Sequence, residues 1–263
     1  MTTPAASLDT APAVPAKPAA LWEDLIDIFT QPTAVFARRR DGRFWLAMLV
    51  FTVLGGAAFA AARPAMQPFF DRQGAVAAAK IDANPQIPAD QREAAKARVR
   101  SFSDGPFAAV GPVLVLPVTL FVGALTLWLV GKAFGSGASY GQALAVVSVA
   151  GIPRVVLGLL GAGAALALGR QIEFLHQLTV GPGTVVGDVG PLFDGVLQRL
   201  DVGVLWHTVL AGIGLSLMGR AVRRAGGPEI EGRISRGKGI AAACVVWMLA
   251  TLLAVWQGYS QTL

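Results

Sequence analysis

Four uncharged stretches of this chain are each long enough to cross a bilayer, and this feature limits the possible folds more than any other. They run from Phe44 to Ala62, Pro106 to Gly131, Val202 to Gly219 and Gly239 to Leu263. An apolar helix of about 20 residues spans a hydrocarbon core of about 30 Å. Lipid tolerates only helices or closed barrels, because backbone polar groups must be bonded internally. The sequence therefore predicts an integral membrane protein made of helices.

The composition leads to the same conclusion, because 54% of the residues are hydrophobic and only 14% are charged. A soluble domain carries about 25% charged residues. The apolar stretches leave no polar block long enough to bury a core of its own, which predicts one polytopic unit. The net charge is +6, and its basic residues gather beside the spans, where they anchor helix ends and contact lipid headgroups. We therefore expect membrane lipids as partners and no nucleic acid.

A fifth apolar region, Tyr140 to Gly169, is interrupted near its centre by Pro153 and Arg154. It forms either one span kinked at the proline or two short halves of a re-entrant hairpin. A hairpin would place the basic loop from Arg220 to Lys238 outside, against the positive-inside rule. This rule favours one kinked span, and therefore five spans in all.

The predicted fold class is all-α, a polytopic transmembrane helical bundle of five spans with an N-terminal amphipathic helix. A disordered tail (1–20) and cytoplasmic amphipathic or juxtamembrane helices (21–43) precede a membrane domain (44–258). The charge distribution places the N-terminus in the cytoplasm and the C-terminus outside. The spans are predicted near 44–62, 107–131, 140–169 (kinked), 202–219 and 239–258.

Two external loops are expected to carry structure of their own. The first has helix-forming composition from Ala89 to Phe102, with Glu93 and Lys96 closely spaced, so we expect a helix there. The second is punctuated by Gly and Pro from Gly181 to Pro191, which makes it too interrupted to span. We expect this second loop to cap the bundle.

The segment before the first span is amphipathic, with apolar residues on one arc of a helix and acidic residues on the other. It either packs against the cytoplasmic side of the protein or lies on lipid. In both cases its apolar side chains are candidates for recruiting a partner. The candidate partner-binding residues are Trp22, Leu25, Phe29 and Phe36.

Arg154 is the residue that most invites a functional hypothesis, because an arginine near mid-span costs roughly 2.5 to 3.5 kcal/mol on insertion scales. Its partner is predicted to be backbone carbonyls freed by Pro153 or the carboxylate of Asp201; a lipid or anion contact is the alternative. We interpret His207 as an interhelical hydrogen bonder rather than a ligand or proton relay. Pro153, Arg154, Asp201 and His207 form the candidate polar intramembrane site.

Motifs of catalysis and cofactor binding are missing from the sequence. It contains no His pair at i, i+4, no Gly-rich phosphate loop, no Ser in a nucleophile elbow and no carboxylate pair within a span. We therefore expect no enzyme, no catalytic residue, no cofactor and no metal site. Small residues instead recur at every fourth position, as at Thr208, Gly212 and Ser216. Such ridges serve either packing within the chain or a homo-oligomer interface.

Several short motifs in a fixed order resemble one membrane family. A Leu-Trp segment, Pro32 with Val35 and Phe36, basic residues and Trp45 resemble the start of bacterial members of the Yip-one family. The later similarity is more specific and covers the third, fourth and last spans, in the segments 139–142, 200–206, 212–216 and 233–240.

The resemblance to this family implies five spans, a cytosolic N-terminus and an external C-terminus. Eukaryotic relatives are Rab-interacting proteins that organise membrane traffic by binding small GTPases and one another. This chain has the segment from Ala37 to Arg43 where those relatives carry an Asp-Leu-Tyr-Gly-Pro motif. Small GTPase binding therefore carries over to no residue here. The Ala, Gly, Val and Arg bias suits a GC-rich bacterial genome and predicts the cytoplasmic (inner) membrane.

Two classes of function follow from these observations. The first, which we prefer, is a non-enzymatic membrane scaffold or assembly factor that packs with itself or with other membrane proteins and recruits partners through residues 21–36. The second is a transporter or lipid conduit in which Pro153 and Arg154 line a polar path, as broken helices do in transporters.

Overall fold

The computed structural model describes residues 21–104, 106–224 and 227–260, so the predicted tail 1–20 lies outside the described residues. Helices dominate, and two short strands form an antiparallel hairpin that the sequence reasoning did not predict. In chain order the elements are α1 (Leu21–Thr30), α2 (Pro32–Arg38), α3 (Trp45–Ala62), α4 (Gln67–Ala83), α5 (Ala89–Asp104), α6 (Pro106–Ala133), α7 (Tyr140–Ala167), 3-10 turns at Leu175–Leu178 and Pro182–Val185, α8 (Gly190–Arg199), α9 (Val202–Leu217), β1 (Arg220–Arg224), β2 (Gly227–Glu231) and α10 (Arg236–Ser260).

Within these described residues, four helical segments are long and apolar enough to cross a membrane. They are α3, Val113–Ala133 of α6, α7 and α10. A fifth span results if α8 and α9, bent by 51° at their junction, are counted as one broken span. The predicted all-α polytopic bundle is therefore confirmed.

Helix α7 forms the centre of the bundle and packs against α1, α3, α6 and α9. Of its apolar segment 67% is buried, compared with 17–22% for the other three spanning segments. The region with two possible interpretations is thus a single helix that contains Pro153. A capping box between Ser139 and Gln142 starts this helix by satisfying backbone N–H groups of its first turn.

The fourth span differs from the expected one. Helix α9 has 16 residues, so it covers only about 24 Å. Residues 190–199, which we assigned to a capping loop, form α8 and continue the span across a bend at Leu200 and Asp201. The Trp247 Nε1 atom, near the middle of α10, donates to the Arg199 carbonyl at 3.2 Å. The bend therefore lies at mid-depth of the bundle, and not at its outer end.

Small residues bring α9 and α10 into backbone contact. A Cβ atom added to Gly212 would lie 2.5 Å from the Ile240 Cα atom, and the Ser216 Cβ atom lies 3.0 Å from the corresponding position at Gly239. Any side chain at either glycine would push the helices apart. The ridge of Thr208, Gly212 and Ser216 thus packs inside the chain, which is the first of the two predicted roles.

The bundle has two ends. The end that we call the N-terminal face contains α1, α2, the start of α7, the end of α9, the β1–β2 hairpin and the start of α10. The Gln142 Nε2 atom joins three of these parts, because it donates to the Arg40 carbonyl at 2.8 Å and the Gly219 carbonyl at 2.9 Å. Gly137 and Gly232 connect the hairpin to the segment before α7 through an N–H to carbonyl bond of 2.7 Å.

The opposite face carries α4 and α5. Helix α5 contains the predicted external helix, whereas α4 was not predicted. Lys96 connects the two helices, because it pairs with Asp82 at 2.7 Å and with Glu93 at 3.0 Å. The backbone N–H of Ile172 donates to the Ala65 carbonyl at 2.7 Å and fixes the segment after α7 to the start of this region.

Candidate functional site

Arg154 lies close to the middle of the 28-residue helix α7, and its side chain is exposed on the surface of the bundle. Its neighbour Pro153 is buried. Helix α9 approaches this point through Gly203, where an added Cβ atom would lie 3.2 Å from the Arg154 Cα atom. A side chain at this position would be tightly placed against the arginine backbone, and glycine avoids that contact.

Asp201 is buried at the N-terminus of α9, and both of its carboxylate oxygens accept backbone hydrogen bonds. One oxygen caps α9 by accepting from the Val204 N–H at 2.8 Å, and the other accepts from the Val180 N–H at 2.6 Å. Within the described parts of the chain, Arg154 forms no ion pair and no hydrogen bond. The charges of Arg154 and Asp201 are close enough to interact, but no ion pair joins the two residues in the structure, so their pairing stays a prediction.

His207 lies one turn after Gly203 on α9, close to the backbone of Ala150 on α7. Its Nδ1 atom is buried and has no partner among the described residues. The imidazole thus lies between two helices with one unused polar atom near Arg154, and its role as an interhelical hydrogen bonder stays a prediction.

Arg199, at the end of α8, is a member of this polar group that sequence reasoning placed on the external side. It lies near enough to Arg154 for their positive charges to interact, and the contact of its carbonyl with Trp247 puts it at mid-depth. Arg154 and Arg199 carry two positive charges, and Asp201, which accepts hydrogen bonds from the backbone, carries one negative charge. The region around them at bilayer depth is therefore net positive. Such a region can bind a phosphate, a carboxylate or a row of carbonyl groups.

The second candidate site is α1, and the structure separates its predicted binding residues into two groups. Phe36 is fully buried, and its ring contacts the position of Gly214 on α9. Leu25 is half-buried against the core. Trp22 and Phe29 face outward, with 62% and 41% of their surfaces exposed.

Ile26 completes the outward surface of α1 and was not among the predicted binding residues. It is 59% exposed, and its i, i+4, i+7 spacing with Trp22 and Phe29 places the three side chains on one side of the helix. We call these three residues the α1 stripe. They present an apolar surface that no described part of the chain covers.

A buried carboxylate holds α1 in place. Asp24 accepts from the Arg38 Nε and Nη2 atoms at 2.9 and 2.6 Å, and from the Arg39 Nε atom at 2.7 Å. Burial alone would lower the pKa of Arg38, but hydrogen bonds to Asp27 and Asp24 outweigh it and hold this pKa above its ordinary value. The α1 stripe is therefore presented by a helix with a fixed orientation.

A histidine–aspartate pair that was not predicted from the sequence lies near the face that carries α4 and α5. The His176 ring is fully buried, its Nδ1 atom bonds to Asp194 on α8, and its Nε2 atom lies 3.0 Å from the Val186 carbonyl. Phe174 stacks on this ring, and the Arg72 guanidinium lies 4.1 Å from the centroid of Phe174. Every polar atom of the His176 ring has a partner, so we assign the pair to holding α8.

Comparison with known proteins identifies the family. The family model of the Yip1 domain matches residues 26–257, which is most of the chain. No curated protein and no solved structure matches the chain. The matched range includes the second half of α1, the polar group at mid-depth and the spanning helices as far as residue 257 of α10. The chain therefore belongs to the Yip1 domain family, and its apolar helices make it a multi-pass membrane protein.

Proposed function

We propose that this protein is a non-enzymatic membrane scaffold that recruits a partner protein through the α1 stripe. The observation that carries the proposal is the exposure of Trp22, Ile26 and Phe29 on a helix whose other side is locked into the bundle. Exposed aromatic and aliphatic side chains on a rigid helix bind partners well, because little conformational entropy is lost on binding. Catalysis is not part of the proposal.

The proposed orientation places the N-terminal face in the cytoplasm and the C-terminus outside, in the cytoplasmic membrane of a bacterium. Basic residues support this orientation, because the loop from Arg38 to Arg43 and the segment from Arg233 to Lys238 belong to that face. The positive-inside rule assigns such a face to the cytoplasm. The α1 stripe is then available to cytoplasmic proteins.

Assembly within the bilayer is the second part of the proposal. An exposed arginine at mid-depth is costly in lipid, and a carboxylate or carbonyl group from a second membrane protein, or from a second copy of this chain, would remove that cost. The position of Arg154 on the surface of the bundle supports this role.

Site-specific photo-crosslinking in living cells tests the recruiting role. A photoreactive amino acid replaces Trp22 or Phe29 in the full chain, and adducts with proteins are separated from adducts with lipids. We expect a discrete protein adduct from both positions, and no such adduct from the matched control position Arg43, which is exposed on the same face.

The variant pair Phe29→Ala and Phe36→Ala sharpens this test. Phe29→Ala should keep the thermal stability of the purified protein and weaken the adduct formed from position 22, because only the surface changes. Phe36→Ala should lower stability, because Phe36 lies in the core. Adducts with lipid alone, or an adduct unchanged by Phe29→Ala, would refute recruitment through the α1 stripe.

A lipid conduit is the second candidate function, and one observation favours it. Pro153 lies inside α7 at the depth where α8 and α9 meet at a 51° bend, and the close approach at Gly203 brings the proline and the bend together. Discontinuous helices at mid-depth line polar paths in transporters. Reconstituted vesicles with fluorescent phospholipid in one leaflet test this function. Faster exchange that is lost in Arg154→Leu supports a conduit, and exchange at the rate of empty vesicles refutes it.

A further inference from the structure

A cavity of about 560 Å³ opens on the N-terminal face, apart from both candidate sites. Its walls come from three regions that are distant in the sequence. Thr33 belongs to α2, Ser216 to the end of α9, and Arg233, Ser235 and Arg236 to the segment that starts α10. Each region is held in place by the bundle, so the cavity is part of the folded structure.

The charged side chains that line this cavity are both cationic. The Arg236 Nη2 atom donates to the Thr33 hydroxyl at 3.2 Å, and the Arg233 Nε atom donates to the Ser216 carbonyl at 3.4 Å. A guanidinium has five N–H donors, so most of the donors of each arginine are unused. Across residues 21–104, 106–224 and 227–260, neither arginine forms an ion pair with a carboxylate.

A third arginine stands beside the cavity. The Arg40 Nε atom donates to the carbonyl of Leu217, a lining residue, at 3.1 Å. Burial and the positive charge of Arg233 both lower the pKa of Arg40. Three guanidinium groups therefore concentrate positive charge at this place, whereas Asp24 and Asp27 together neutralise Arg38 and Arg39 on the same face.

We propose that this cavity binds the phosphate group of an anionic ligand, with Arg233 and Arg236 as the binding residues and Arg40 beside them. Arginine forms charge-assisted, often bidentate hydrogen bonds with phosphate oxygens, which makes it suited to this ligand class. The phosphate can belong to a lipid headgroup or to a soluble molecule, and both present the same oxygens to the cavity. This inference is independent of the scaffold proposal.

Two features favour a phospholipid as the source of the phosphate. The cavity lies at the ends of α9 and α10, where the bundle meets the membrane–water interface, and basic pockets at such ends bind anionic headgroups. Ile213, Leu217 and Ile234 provide apolar lining beside the arginines. A headgroup with its glycerol and first acyl carbons matches this combination, whereas inorganic phosphate uses only the arginines.

Titration of the purified full chain in a neutral detergent tests the proposal. The probes are dihexanoylphosphatidic acid, inorganic phosphate and zwitterionic dihexanoylphosphatidylcholine, with calorimetry to measure the Kd of each. We expect phosphatidic acid to bind more tightly than phosphatidylcholine. Equal binding of inorganic phosphate would support the site and identify a soluble ligand, and binding of phosphatidic acid alone would identify a lipid.

Variants then assign the residues. Arg233→Gln and Arg236→Gln should each weaken binding of phosphatidic acid about tenfold, because each removes charge-assisted hydrogen bonds. The double variant Arg43→Gln with Lys132→Gln removes two charges from the same face outside the cavity and should bind like the parent. Arg236→Lys, which keeps the charge, should retain part of the affinity.

The outcomes that overturn the proposal are specific. One is a parent protein that binds neither phosphatidic acid nor inorganic phosphate. Another is unchanged affinity in both single arginine variants, and a third is an equal loss in the Arg43 and Lys132 control. Thermal unfolding of every variant in the same detergent verifies folding. If Arg233→Gln proves unstable, the affinity of Arg236→Gln alone decides the test.

Discussion

Arginines in two regions of this molecule have opposite surroundings. On the N-terminal face, Arg38 and Arg39 share the buried carboxylate of Asp24. At mid-depth, Arg154 forms no ion pair with a described residue, and the Asp201 carboxylate accepts hydrogen bonds from the Val180 and Val204 N–H groups. In these two regions the fold therefore neutralises the arginines that lock helices together, and it leaves unpaired the arginine that a molecule from outside can reach. Arg233 and Arg236 around the cavity belong to the second kind.

Removing the shared carboxylate is the change with the largest expected effect. Asp24→Asn leaves the partly buried guanidinium of Arg39 without a counter-charge and that of Arg38 with Asp27 alone, and we expect a loss of about 3 kcal/mol in the free energy of unfolding. Thermal or denaturant unfolding in detergent measures it. The matched control is Asp41→Asn, whose exposed pair with Arg43 is worth at most about 0.5 kcal/mol. Equal losses in the two variants would remove the distinction between locked and exposed arginines.

Arg154→Leu should raise the free energy of unfolding, whereas Asp24→Asn should lower it. With no described partner to lose, removal of a charge at bilayer depth should stabilise the protein by about 2 kcal/mol in nanodiscs. Reversible unfolding of the reconstituted protein measures this gain. A destabilised variant would show that Arg154 has a structural partner in the membrane, and the comparison with Asp24 would then fail.

Substitutions at Asp201 test the finding that its carboxylate serves the backbone. Asp201→Ala should cost about 1–2 kcal/mol, because α9 loses its N-cap. Asp201→Asn should cost less, since asparagine also caps helices well. If Asp201 paired with Arg154 instead, both variants would be equally destabilised, which the same unfolding measurements would detect.

Arg236→Gln should have the smallest effect on stability, within about 0.5 kcal/mol, because its side chain is exposed and forms one hydrogen bond. Unfolding without phosphate or lipid measures this value. A larger loss would place Arg236 among the locked arginines and would argue for a structural role of the cavity.

The spanning helices could be predicted from the sequence because each is a long uncharged run, and the physics of the bilayer leaves few alternatives for such a run. The two-part fourth span escaped prediction because α8 contains Asp194 and Arg199, which lower its hydropathy. The charge of Asp194 is tolerated through its tertiary contact with His176, and a second tertiary contact, from Trp247 to the Arg199 carbonyl, places the end of α8. No local pattern records such contacts.

The candidate site was predictable in its residues and not in its pairing. Arg154 and Asp201 are neighbours through Gly203, as expected for an intramembrane charge, but the hydrogen bond from Val180 to Asp201 depends on a loop whose path the sequence does not define. The cavity is harder still to predict from the sequence, because Thr33 and Arg236, which meet in its wall, are 203 positions apart. The capping box at Ser139 and Gln142 had a readable signal, a serine followed three residues later by glutamine.

The amide of Gln142 has a mechanical consequence. Through the carbonyls of Arg40 and Gly219 it ties the entry to α3 and the exit of α9 to the first turn of α7. A load applied to the amphipathic segment by a bound molecule would reach the central helix through this side chain as well as through the direct packing of α1 on α7. The entry to α3, the exit of α9 and the first turn of α7 would then move together as one rigid unit.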